Sequence, residues 1–318
     1  MRRLLAHVLL AVLTLVASCS KDEPKGAAKP IRLGYVPYSS SLPAFVAAER
    51  GLFEARKLVV KLRRFETSNE AMIALVTGKT DGVMGIGLAS LLAIEHKTPG
   101  KFKMIWYAIE TDANWVNALL VPTSSDVAGI EELRGQTVAT FAGATQIMNL
   151  QAIFDKALGD SKSVTLSQIS PNLQLQVLET GDVAALFAIE PQVTIALTRG
   201  LGRVLVDNPR CKYILDPFPA GGGILSTTLL SKRASDAEKL RGALDEAIEL
   251  IRHDESGAKL LLPKYTPIEP EIAGKSRLYA WWKSKECNID ALQRLSDLLE
   301  ENGILGGHID VRQMVFVK

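Results

Sequence analysis

From Ile31 onward, short apolar runs of strand character alternate with runs whose apolar residues recur at helical spacing, and clusters containing Gly, Pro or Ser separate them. The pattern predicts strands over 31–36, 58–64, 82–86 and 102–108, with helices over 44–49, 70–76 and 89–95 between them. A second set repeats the order, with strands over 137–141, 164–169, 184–188 and 203–206 and helices over 147–157, 173–179 and 192–198. Such alternation implies an α/β fold with largely parallel sheets, because a parallel neighbour needs a crossover long enough to hold a helix. Further helices are expected over 234–253, 257–262, 278–285 and 289–302, their charged faces toward water.

Two lobes follow from the repetition. The run Leu75-Val76-Thr77-Gly78 before Asp81-Gly82-Val83-Met84 is echoed by Leu178-Glu179-Thr180-Gly181 before Ala184-Ala185-Leu186-Phe187, each a helix closed by glycine and followed by a buried strand. The body that starts near Ile31 also exceeds what one compact core usually holds, about 250 residues. Two segments are expected to carry the chain between lobes: the strand-like 115–122 and the glycine-rich 217–230. The first lobe is then 31–117 with 224–318, and the second 118–223.

Ahead of the body, Arg2 and Arg3 precede an apolar run from Leu4 to Val16 that is too short for a membrane span and reads as a secretory signal over 1–18. It ends in Val16-Ala17-Ser18-Cys19, which resembles a bacterial lipobox and implies lipidation of Cys19. Residues 19–30 are polar and charged and form a tether. The expected location is the cell envelope, periplasmic or extracytoplasmic, with the lipid as membrane anchor. Composition fits a protein outside the bilayer: 47% hydrophobic, 23% charged, net charge +2. So small a charge gives no nucleic-acid footprint.

Several stretches together resemble an ABC-transporter substrate-binding protein of the branch that takes sulfonates, taurine, nitrate and thiamine-pyrimidine precursors. They are Gly34-Tyr35 with 47–53 (AAERGLF), 74–78 (ALVTG) with Asp81, 133–139 (LRGQTVA), and Thr180-Gly181-Asp182 with Glu190-Pro191. The resemblance implies a two-lobed periplasmic-binding-protein fold of the type II kind. It implies a ligand cleft between the lobes, a small polar organic ligand such as a sulfonate or taurine-like compound, and an ABC permease as partner. A monomer without cofactor is expected.

Ligands of open α/β sheets sit beyond the carboxyl ends of strands, where helix N-termini present free N–H groups to an oxyanion. Ser39, Ser40 and Ser41 stand at such a corner and either contact ligand or cap a helix. Gly87 opens a second corner in the first lobe, and Gly143, Thr145 and Gln146 open one in the second. Asp112, Asn114 and Trp115 at the first crossing, with Glu190 after the strand at 184–188, offer carboxylates and an aromatic face suited to an amine or heterocycle. Equally, the first two are loop residues, Trp115 is core between lobes and Glu190 caps a helix beginning at Pro191. No arginine falls in these corners, so backbone amides are the expected oxyanion donors.

A catalytic alternative exists, because a pyrimidine synthase of thiamine biosynthesis shares the resemblance. His96, His253 and His308 are scattered without metal-ligand spacing, and no P-loop, nucleophile elbow or HExxH helix is present. Cys211 and Cys287 form no CxxC; they either make one disulfide or remain buried thiols. A pyrimidine-precursor binder and a sensory or scaffolding lipoprotein remain as alternatives.

Overall fold

The computed structural model of the chain describes residues 29–170 and 172–316; the signal segment and Cys19 lie outside them. Strands β1 (Ile31–Tyr35), β2 (Val60–Arg64), β3 (Gly82–Gly87) and β4 (Phe102–Glu110) come first, interleaved with helices α1 (Leu42–Glu49), α2 (Ser68–Val76) and α3 (Leu88–Lys97). After a crossing come β5 (Asn117–Pro122), β6 (Thr137–Phe141), β7 (Thr165–Ile169), β8 (Ala185–Ile189) and β9 (Gly202–Asp207). Among them run α4 (Ala144–Leu158), α5 (Gln174–Glu179) and α6 (Gln192–Thr198), and α7 (Pro209–Tyr213) follows. The chain returns through β10 (Phe218–Ser226). It continues with α8 (Thr227–Lys232), α9 (Ala234–His253), α10 (Glu255–Lys259), α11 (Leu262–Tyr265) and α12 (Pro270–Lys275), and ends with β11 (Ala280–Lys283) and α13 (Ile289–Glu301).

Two separate sheets result, ordered β11-β4-β10-β3-β1-β2 and β7-β6-β8-β5-β9, which is the expected pair of α/β lobes. The echoed glycines fall at equivalent places: Gly78 follows α2 with φ +70° and Gly181 follows α5 with φ +73°, the left-handed conformation that ends a helix cheaply only in glycine.

Three expectations change. The sheets are mixed, because β10 runs antiparallel to both β3 and β4, and β5 antiparallel to both β8 and β9. These strands begin where the chain arrives from the other lobe, so neither is laid down by a helical crossover. The return also comes earlier than residue 224: Phe218 already pairs with Glu110 in the first sheet. Finally, 278–285 is not a helix. Ala280–Lys283 pairs antiparallel with Trp106–Ile109, and the Trp281-Trp282 pair suits a pleated edge better than a helix. The glycine run in β10 is a packing requirement, since a Cβ on Gly223 would lie 2.1 Å from the Trp106 indole nitrogen.

Each sheet is covered on both faces, which accounts for its near-continuous apolar strands. In the first lobe, α9 turns Leu240, Leu244, Ala247 and Ile251 onto α1 and the sheet, while α2, α3 and α13 cover the other face. Burying one such Leu or Ile stabilises by roughly 1.5–3 kcal/mol. No helix among the described residues is long and apolar enough to cross a membrane.

Candidate functional site

A cleft of about 370 Å³ lies between the lobes, and the ends of β3, β6 and β8 reach it at Gly87, Phe141 and Ile189. Six helices begin at its wall. Ser39 and Ser40 form the turn before α1, Ser68 opens α2, Gly87 precedes α3, and Gln146, Gln174 and Gln192 lie in the first turns of α4, α5 and α6. The α2 start is capped by Thr67, whereas α1, α3, α4 and α5 start without a side-chain cap. In α3, α4 and α5 the first N–H groups have no partner within the helix and the start carries a partial positive charge, whereas in α1 Leu42 N already donates to Ser39 O and Pro43 has no N–H.

Of the residues expected from sequence, Ser39, Ser40, Gly87, Gln146 and Glu190 meet in this cleft, drawn from both lobes. Ser41 does not face it. Its hydroxyl is buried and donates to Val36 O at 2.8 Å and Met84 O at 3.1 Å, reached because Gly85 bends β3 with φ +78°. Ser40 Oγ likewise donates to Gly85 O at 3.0 Å. Gly143 is exposed, its N–H held by Gln168 Oε1 at 2.8 Å, and Thr145 is half-buried beside it; neither is among the residues lining the cleft.

Asp112 lies exposed in the turn of the first crossing. Asn114 and Trp115 line a separate groove that shares Glu190 with the cleft, and there the Arg277 guanidinium stacks 3.9 Å from the Trp115 ring centroid. The Trp115 face is therefore covered by a cation of the first lobe. Glu190 behaves partly as the cap anticipated: it accepts from Thr194 N at 3.1 Å and Thr194 Oγ1 at 2.9 Å. It also accepts from Arg277 N at 3.2 Å, a contact between lobes. Burial pushes its carboxyl above the ordinary range, against the pull of these donors.

The sequence reading missed Arg210. Its guanidinium lines the cleft, buried between the Phe187 and Phe218 rings at 5.3 and 5.1 Å from their centroids. Nη1 donates to Glu110 Oε1 at 2.7 Å and Nη2 to Gln146 Oε1 at 3.2 Å, while Nε has no partner. Glu110, the last residue of β4, is fully buried; burial pushes its carboxyl up and Arg210 opposes the shift. Asn117 Nδ2 donates to the same carboxylate, and Asn208 Nδ2 bonds Thr111 O at 3.0 Å, so one polar network holds both crossings. The sequence did carry a signal: Asn208-Pro209 after β9 marks a helix start with Pro in the first turn. Gln174, also missed, is 2% exposed with Nε2 unpaired. Tyr38, Phe141 and Tyr279 add aromatic rings, the last hidden by the helical reading of its segment.

Cys211 and Cys287 are free thiols pushed up to about 12 and about 11 by burial, so both stay protonated near neutral pH, and neither lines the cleft. His308, exposed, does acquire neighbours through the fold, with Nδ1 3.7 Å from the half-buried Asp297 and Glu300, and none of the three lines the cleft.

Among curated proteins, none matches the chain in sequence. The fold is that of solved periplasmic binding proteins. The periplasmic aliphatic sulphonate binding protein SsuA from Escherichia coli superposes with TM-score 0.75 at 18% identity, over 92% of this chain and 93% of that one. The alkanesulfonate-binding protein SsuA from Xanthomonas axonopodis pv. citri, bound to MOPS, gives TM-score 0.69 at 18% identity over 91% and 99%. The desulfurization enzyme DSZB shares the fold as well, with TM-score 0.67 and 18% identity over 90% and 96%. In sequence the match is to a family, over residues 25–256, and on that match the chain belongs to the NMT1-like family.

Proposed function

We propose that the protein is a substrate-binding protein that captures a small organic oxyanion, a sulfonate or taurine-like compound, and delivers it to an ABC permease. It acts outside the cytoplasm, lipid-anchored through Cys19. The observation that carries this reading is the cleft itself: uncapped helix N-termini from both lobes converge on it, joined by two buried donors without partners, Arg210 Nε and Gln174 Nε2. That arrangement suits an acceptor-rich group that needs several N–H donors at once. The sulfonate-binding neighbours of the same fold support the choice.

A pyrimidine precursor is the second reading, favoured by the Tyr38, Phe141 and Tyr279 rings and by Glu190, whose carboxyl can face a ring N–H. Binding is preferred over catalysis because the cleft lining holds neither cysteine nor histidine. Thermal-shift titration with alkanesulfonates, taurine and aminopyrimidines tests the assignment. A ligand at a hundredfold excess over its Kd stabilises by about 2.7 kcal/mol. A shift with sulfonates only supports the first reading and a shift with pyrimidines only the second; recovery of a chemically altered ligand sinks both.

A further inference from the structure

The cleft is better supplied with donors than with net positive charge. Arg210 is the cation in its lining and Glu190 the carboxylate, and a second carboxylate outside the lining, Glu110, holds the guanidinium at 2.7 Å. Glu110 is 0% exposed and Arg210 5%, so water does not screen the pair and each cancels the other's field at short range. Of the five guanidinium N–H groups, Glu110 and Gln146 take one on each Nη, which leaves the second on each Nη and the one on Nε, the last buried without a partner. Gln174 offers another neutral donor, 2% exposed and likewise unpaired. The two residues of the pair come from different lobes, Glu110 from the end of β4 and Arg210 from α7, so the charge balance of the site is set across the crossings.

We propose that Glu110 sets the charge selectivity of the cleft: by neutralising Arg210 it leaves a site that accepts a neutral or singly charged acceptor group and rejects a dianion such as a phosphate monoester. The inference rests on the binding reading above and narrows its ligand class. A sulfonate, with one charge spread over three oxygens, is served by helix N-termini and neutral donors. A second negative charge meets the neutral Arg210–Glu110 pair and the Glu190 carboxyl, with no free cation in the cleft lining to balance it.

Benzenesulfonamide, benzenesulfonate and phenyl phosphate form a series of similar shape and rising negative charge at pH 8. Calorimetry on the wild-type protein is expected to give phenyl phosphate at least tenfold weaker binding than benzenesulfonate. Glu110→Gln keeps the volume and removes the charge; it should tighten phenyl phosphate most, benzenesulfonate by about tenfold, and the sulfonamide little. Arg210→Lys keeps a cation for Glu110 while deleting the Nε donor, and should weaken all three alike by about tenfold or more. Phenyl phosphate binding wild type as tightly as the sulfonate overturns the proposal, as does a Glu110→Gln protein that shifts the three probes equally or an Arg210→Lys protein with unchanged affinities. The wild-type ranking and Arg210→Lys still decide if Glu110→Gln does not fold. Absence of binding by all three to wild type overturns the oxyanion reading first, before any variant is made, and the selectivity with it.

Discussion

The two lobes share a winding pattern but differ in how the polar groups near the cleft are paired. In the first lobe the serine turn is held from within: Ser40 Oγ at the cleft edge and Ser41 Oγ behind it donate to the backbone of β3 and of the turn after β1, while Ser39 and Ser68 line the cleft. In the second lobe the donors at the corresponding edge are unpaired, namely Arg210 Nε and Gln174 Nε2. The first lobe does contain unpaired buried atoms, such as Thr80 Oγ1 and Trp281 Nε1, but on residues outside the cleft lining. The serine turn is therefore fixed by its own hydrogen bonds, and the second lobe keeps two buried donors without partners. A buried polar group without a partner costs stability, so on the binding reading the second lobe gains most from a ligand.

Paired glycines give the largest test of this contrast. Gly85 and Gly159 both adopt φ +78°, one beneath the serine turn of the first lobe and the other after α4 in the second. A Cβ on Gly85 would lie 2.2 Å from Ser41 Oγ, whereas nothing stands within 4 Å of one on Gly159. Gly159→Ala should cost only the left-handed strain, about 1–2 kcal/mol. Gly85→Ala should cost about 2–4 kcal/mol, because overpacking adds to the strain and the serine turn must move. Urea unfolding of both variants measures the gap, and equal losses would show that the first wall is not rigidly packed.

A smaller effect separates finished from unfinished donors. Ser41→Ala should lower stability by about 1 kcal/mol, no more, because Val36 O and Met84 O keep backbone donors in Tyr38 and Val36. Gln174→Leu, which removes an amide whose Nε2 is unpaired, should leave stability unchanged or slightly higher and, on the binding reading, weaken a sulfonate ligand about tenfold. Paired urea melts and calorimetry read the two effects. The contrast fails if Ser41→Ala loses affinity with stability intact, or if Gln174→Leu loses stability with affinity intact.

The same contrast explains what the sequence made legible. Local punctuation carried most of the architecture: the helix-glycine-strand echo, and the helix at 234–253 found with the same bounds as α9, rest on spacing and caps that act within a few residues. Corners of the strand-to-helix kind led to Ser39, Ser40, Gly87 and Gln146. What could not be read depends on partners distant in the chain. Whether a serine faces a cleft or its own backbone turned on Gly85, a conformation invisible without the fold. Arg210 enters the wall because Glu110, 100 residues earlier, holds it there. The strand at Ala280–Lys283 exists because β4 offers it an edge, and with it came Tyr279.

The smallest expected effect lies where the lobes touch. Glu190, from the second lobe, accepts from Arg277 N of the first at 3.2 Å and from Thr194. Burial is the main influence on its carboxyl and raises it above the ordinary glutamate value, about 4.3 in an unfolded chain. An acid that binds its proton more tightly when folded contributes stability that is fully present below the unfolded pKa and lost as pH rises through the folded one. Wild type should therefore lose this contribution from about pH 4.3 upward, and Glu190→Gln, which does not titrate, should not. The difference in Tm, variant minus wild type, should become more positive between pH 4 and pH 8, by on the order of 1–2 °C, or about half a kcal/mol. Taking the difference cancels the other acids, which titrate in both proteins. Melting curves across that range decide: a difference that stays flat would mean the carboxylate is well enough held by Thr194 and Arg277 to ionise freely, and one that falls would make Glu190 a net tie between the lobes in its charged form.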